Sequence, residues 1–401
     1  MPSGEDEQRY RDILNRLAQH GTLADPGVAE RLSTGLAGFL KRWEAEVLPF
    51  VAAGGAELRF VEGPNGRGKT HFLQALEMVA QRAGFVTSRI ECGMEHKPFA
   101  SLQETYTAIA SRMSDGAFGR NGGGTGLGGI LGALPTARMV DFMRAPRGNP
   151  AFRNVVIGYA KRAQGGFHKD QVTQDLRALL HHDTNRRVTF RDLFNAASSM
   201  GVNLQRPIGK VGKRNAAVWL RSLLALPRQL GFKGLVVLFD ETGADVCFKS
   251  AFGHFGEHQQ HLANLRNLVD HLATGDMPGC SVVYATTRDL MEIAKEDYRA
   301  LWQRVARPQE ESMFAIAPRN PRAIWCRLDE LTDPSPDVPG FYLELGEKLL
   351  ALGNDAGIPA RRLEMARAQL PDLARKMSEN LSQAAVRDFI KREASEMMRK
   401  T

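Results

Sequence analysis

One octet constrains this chain more than any other stretch: Gly63-Pro64-Asn65-Gly66-Arg67-Gly68-Lys69-Thr70, which satisfies GxxxxGK[ST]. Its flanks matter as much as its letters. Residues 56–62 (AELRFVE) read as a short strand, residues 70–83 as a helix, and residues 85–91 as a second apolar strand. In that setting the glycines let backbone N–H groups wrap an anion, and the helix N-terminus adds partial positive charge. Lys69 can reach terminal phosphates and the Thr70 hydroxyl can ligate a divalent cation. Strand, loop, helix and strand in this order require an α/β core with a parallel sheet.

A site that hydrolyses a nucleotide also needs a carboxylate near the metal. Residues 235–239 read as a continuous apolar strand, and the run to 241 (LVVLFDE) supplies two at its end: Asp240 to hold Mg²⁺ and Glu241 to polarise the attacking water. The strand pattern at 281–285 ends in Thr286-Thr287, which a parallel sheet brings to the same edge, so a hydroxyl there can sense the γ-phosphate. Arg304 follows that strand by a helix and is the candidate to reach a neighbouring subunit's site, with Arg307 the competing choice. His254, His258 and His261 fall at i, i+4 and i+7 and mimic a metal site, but no HExxH is present, and they read as polar histidines on a solvated helix face.

The remaining chain divides by composition. Residues 28–50 space apolar side chains as an amphipathic helix does, ending at Gly54-Gly55, and further helices are expected at 215–230 and 257–273. Nine of the seventeen residues 116–132 are glycine, a composition that resists regular structure and reads as a flexible insertion or linker. Residues 136–215 are helical in pattern and carry fifteen Lys/Arg against five Asp/Glu, whereas the whole chain has a formal charge of +8. Arg153, Lys161, Arg162, Lys169, Arg186, Arg187 and Arg191 make this the expected DNA-contacting surface, without the interleaved aromatics that base stacking uses. After Pro318 the pattern is helical, with a Pro-rich break at 333–339. The cysteines, Cys92, Cys247, Cys280 and Cys326, are too far apart for a disulfide framework or zinc site and read as reduced thiols. No apolar run approaches the ~20 residues that span a bilayer, and the first residues lack a secretory signal, so a cytoplasmic protein with no membrane partner is expected.

Four segments carry a family resemblance: GPNGRGKTHFL (63–73), residues 91–113, residues 216–242 and residues 262–290 resemble the ATP-binding proteins of BREX-type bacterial phage-defence systems, P-loop ATPases related to AAA+ initiators. The Gly-rich and basic helical stretch departs from the family pattern and reads as an insertion; the resemblance implies an AAA+ α/β core with a parallel sheet flanked by helices, then a helical lid. It divides the chain into an N-terminal helical segment (1–55), the core (56–115 and 216–318), the insertion (116–215) and the lid (319–401). It maps Gly63 through Thr70, with His71, onto the ATP-contacting loop, and Asp240 and Glu241 onto the carboxylate pair. It maps Thr286 onto the sensor, Arg304 onto the subunit-bridging arginine and Arg387 onto the lid arginine that touches the γ-phosphate. Pro64-Asn65 and Arg67 depart from the small and acidic residues expected there, but such a loop binds through its backbone. The function implied is Mg²⁺-dependent ATP hydrolysis by a homo-oligomer acting on or with double-stranded DNA and other phage-defence proteins. The alternative is an ATP-dependent switch or scaffold with little turnover. A metabolic P-loop kinase is disfavoured by the length and the helical C-terminal region.

Overall fold

The computed structural model describes residues 4–21, 26–64, 68–93, 97–116, 126–144, 148–241, 255–305, 324–331, 338–377 and 383–399. Asn65, Gly66, Arg67, His254, Arg307, Cys247, most of the Pro-rich break and residues 117–125 of the glycine run lie outside them.

Six strands form one sheet: β1 (Ala56–Glu62), β2 (Val86–Cys92), β3 (Met113–Ser114), β4 (Leu235–Glu241), β5 (Cys280–Thr286) and β6 (Trp325–Arg327). Their order is β3-β2-β4-β5-β1-β6, and every pairing is parallel except β2 with β3. β4 and β5 are buried along their whole length, as expected of strands with both faces covered. The parallel sense puts the C-terminal ends of β1, β2, β4 and β5 on one edge, with Glu62 in register with Thr286 and Glu91 with Asp240. β6 and β3 are short strands that the sequence pattern does not announce.

Alternate residues of the strands feed two apolar layers. On one face Phe60, Val237, Phe239 and Tyr284 share a core with Trp219, Phe152, Leu176 and Leu204. On the other, Val61, Val236, Leu238 and Val283 pack with Phe39, Trp43 and Phe72. A third cluster joins Ile13, Leu14, Leu17, Val28 and Leu32 to Tyr342, Leu349, Leu370, Phe389 and Met397. The helix Gly4–His20 therefore packs with the C-terminal helices Val338–Asp355, Ala360–Lys376 and Gln383–Met398, which form a helical unit of their own.

Three expectations are corrected. The helix expected over 28–50 is interrupted: Pro26–Leu32 stops before Gly35, whose φ of 73° breaks the helical path, and the chain resumes as Ala37–Arg42, a π-helical turn Trp43–Val47 and Leu48–Ala52. Part of the glycine-rich stretch is a buried helix, Gly126–Ala133, rather than a flexible linker. Its glycines permit close approach, since a Cβ at Gly128 would lie 3.0 Å from His181 Nε2 and 3.1 Å from the Tyr159 hydroxyl. The basic helices Pro150–Gln164 and Gln171–His181 contribute to the same core as the sheet, so the insertion is continuous with it. Third, His261 is buried, edge-on to Phe99 at 5.3 Å, and does not sit on a solvated face. No cluster of three or more metal-ligating side chains occurs among the described residues, and none of their helices is long and apolar enough to cross a membrane.

Candidate functional site

The loop leaves β1 at Gly63, whose N–H donates to the Thr286 carbonyl at 3.0 Å, and so is tied to the end of β5. It returns through Gly68, at φ 91° and ψ 17°, a left-handed turn open to glycine because it lacks a Cβ. The helix Lys69–Arg82 begins there, directing its first N–H groups toward the loop. Thr70 is exposed at this end. Lys69 is 6 % exposed, and its ammonium donates to the carbonyls of Gly63 at 2.8 Å and Pro64 at 3.2 Å. Burial lowers its pKa, opposed by the nearby Glu241 and Asp240 carboxylates.

β4 delivers Asp240 and Glu241 to the same edge, each 1 % exposed. The Thr286 hydroxyl donates to Glu241 Oε2 at 2.5 Å, which joins the ends of β4 and β5. Both oxygens of Asp240 are buried with no hydrogen-bond partner among the described residues. The Thr70 hydroxyl is close enough to hold the Asp240 pKa down, yet makes no hydrogen bond of ordinary geometry to it. Burial nevertheless raises that pKa, with Glu91 adding to the rise and Arg89 and Lys69 opposing it. A buried carboxylate with two free acceptor oxygens beside a threonine hydroxyl is the donor set a hard divalent cation takes, so Asp240 and Thr70 fit Mg²⁺. Arg89 and Glu91, on the neighbouring strand β2, are site neighbours that the sequence pattern did not reveal; only the register of β2 against β4 brings them there.

Other expected residues lie elsewhere. His71 turns away from the loop: its Nε2 is 2.8 Å from Ser33 Oγ, and burial, then Lys348, lowers its pKa to about 4. Arg304 donates through Nε to Asp270 and through Nη1 to the Ala300 carbonyl at 2.6 Å, with a third of its side chain exposed. Arg387 lies against Gly21, and among the described residues no hydrogen bond or ion pair links it to the loop. Of the seven basic insertion residues, Arg153 bonds backbone carbonyls at Phe142 and Met143, Arg162 pairs with Asp170 and Arg186 with Asp175. Lys161, Lys169, Arg187 and Arg191 remain exposed.

A glycine-bearing loop between a parallel strand and a helix, facing two strand-end carboxylates, is consistent with the P-loop class of nucleotide-binding proteins. The chain belongs to the BREX system ATP-binding protein BrxC/D family, whose model matches residues 6–130 and 194–397. ATP binding in phage defence is thereby its setting. Residues 131–193, most of the basic insertion, fall between the two matched stretches. No curated protein and no solved structure matches the chain.

Proposed function

We propose that the chain is an Mg²⁺-dependent ATPase of AAA+ type that works as a homo-oligomer on or with double-stranded DNA and partner defence proteins. One observation carries the hydrolytic part: the Thr286 hydroxyl holds Glu241 at 2.5 Å, beside an Asp240 whose oxygens are unpaired among the described residues. The strand order supports the AAA+ reading, because β5, bearing Thr286, lies between β1 with the loop and β4 with the carboxylates. The three C-terminal helices are read as the lid.

In this reading Thr70 and Asp240 would hold Mg²⁺, which would polarise the phosphate oxygens of bound ATP. Lys69 exchanges its carbonyl partners at Gly63 and Pro64 for the β- and γ-phosphates. Glu241 orients a water and takes its proton as the oxygen attacks the γ-phosphorus, and the bond to ADP breaks. Arg304 is proposed to serve a neighbouring subunit after leaving Asp270, and Arg387 to approach the phosphates on lid closure. Lys161, Lys169, Arg187 and Arg191 would neutralise DNA phosphates.

Two variants test this. Lys69→Ala should weaken ATP binding by about 100-fold or more, since the buried ammonium that offsets phosphate charge is lost. Glu241→Gln should bind ATP as wild type does and hydrolyse it about 100- to 1,000-fold more slowly. The checks are isothermal titration and phosphate release with and without duplex DNA. Wild-type turnover by Glu241→Gln would overturn the assignment of Glu241 as the base, whereas negligible turnover by the wild-type chain with and without DNA would replace the ATPase with the switch or scaffold reading.

A further inference from the structure

The helix Pro26–Leu32 and the turn after it lie between the loop helix Lys69–Arg82 and the C-terminal helical unit, and they are fastened to both. Toward the loop helix, His71 meets Ser33 at 2.8 Å, and Arg82 Nη1 donates to both oxygens of Glu30 at 2.8 and 2.7 Å. Toward the helix Val338–Asp355, Lys348 Nζ donates to the Ser33 carbonyl at 2.5 Å, and Arg31 pairs with Asp355 at 2.5 Å. Val28 and Leu32 are buried in the apolar cluster of the helical unit. Each neighbouring helix is held at two points, about three turns apart on one and about two on the other, so neither can rotate freely against the segment.

Proton counting fixes the central bond. The one Ser33 hydroxyl proton goes to the Ala29 carbonyl at 2.8 Å, so His71 Nε2–H must be the donor and Ser33 Oγ the acceptor. Ser33 is 4 % exposed, so this bond is shielded, whereas the Arg82–Glu30 pair is partly exposed and contributes less.

We infer that residues 26–35 couple the phosphate loop to the C-terminal helices, with His71, Ser33 and Lys348 as the positioning residues that carry a change at the loop into the helical unit. Lys69, bonded to its own loop's carbonyls, must let go of them to meet a phosphate, and that rearranges the start of the helix on which His71 sits two residues later. His71 points away from the loop, so its displacement acts on Ser33. Ser33 in turn holds Lys348 through its carbonyl. This rests on the reading that the loop at residues 63–70 binds ATP.

Hydrogen exchange of the full chain with and without Mg·ATP tests it, comparing wild type with Ser33→Ala, Lys348→Met and the conservative Lys348→Arg. ATP should slow exchange in wild type both at residues 68–82 and at residues 338–355. In Ser33→Ala and Lys348→Met the slowing at 68–82 should persist while that at 338–355 falls by about five-fold or more, the low end of usual coupling between sites. Lys348→Arg should retain most of it. Should Ser33→Ala fail to fold, Lys348→Met, at a half-buried position, decides alone. Wild-type slowing at 338–355 in the variants overturns the inference, as does its absence in wild type when 68–82 responds. If ATP leaves 68–82 unchanged in wild type, loop binding itself fails, and the coupling with it.

Discussion

Two parts of the sheet bury charge in opposite ways. In the body of the sheet Arg59, fully buried, gives two hydrogen bonds to Glu57 Oε1 at 2.9 and 3.2 Å. Ser281 donates to Glu57 Oε2 at 2.6 Å, and the guanidinium lies 5.6 Å from the centre of the Phe39 ring. At the strand ends, Asp240 is equally buried, and its oxygens have no hydrogen-bond partner among the described residues. A closed network of this kind holds the fold in one arrangement, whereas an open carboxylate next to Lys69 and Thr70 is what the proposed cation site requires. Glu393 is the case that tests whether openness alone marks a site, because its Oε2 is also buried without a partner among the described residues, yet it sits in the helical unit.

The largest effect should come from opening the closed network. Arg59→Met removes one partner and strands Glu57, so unfolding free energy should fall by about 3–5 kcal/mol in urea titrations; a loss below about 1 kcal/mol would mean that the network contributes little. Next comes Glu393, whose pKa is raised from 4.5 to about 7 by burial, then by Glu396, against the pull of Arg392. Because the folded state keeps a proton that the unfolded chain releases, stability is full below about pH 4.5, declines as pH rises to about 7, and is level above. Glu393→Gln should remove that decline and raise stability at pH 8 by up to about 3 kcal/mol. A decline that survives the substitution would show that this carboxylate is not its source. The smallest effect on folding is expected for charge reversal at Lys169, Arg187 and Arg191, within about 0.5 kcal/mol since all three are exposed. Duplex affinity should nevertheless drop, and its dependence on salt should flatten, in fluorescence anisotropy. Unchanged affinity would move the insertion to protein docking.

What the sequence disclosed follows from local constraint. β1 covers the expected 56–62, and β4 and β5 extend the expected strands by only one or two residues, because a run such as LVVLFDE can be buried only as a central strand. Lys69, Thr70, Asp240, Glu241 and Thr286 converge because each ends or follows such a strand. What stayed hidden depends on partners far along the chain. Gly128 lies close against His181 and Tyr159, and nothing local in the glycine run signals that packing. Helical periodicity shows which face of Gly4–His20 is apolar but not that Gln383–Met398 covers it. His71 carries no local sign that its partner is Ser33, and a three-residue strand such as β6 has no pattern to read.

The placement of β1 also has a consequence for the order of events during synthesis. Its sheet neighbours β5 and β6 are made more than 200 residues later, and the Ser281–Glu57 bond closes a separation of 224 residues. Closing so long a loop before any contact rewards it makes for slow folding. The loop that follows β1 therefore leaves the ribosome long before the strand that anchors Gly63 exists. Until β5 is made, Glu57 and Arg59 sit on a strand without its central neighbour, and the nascent chain passes through a long interval in which its sheet edge is open to chaperones or to wrong strands.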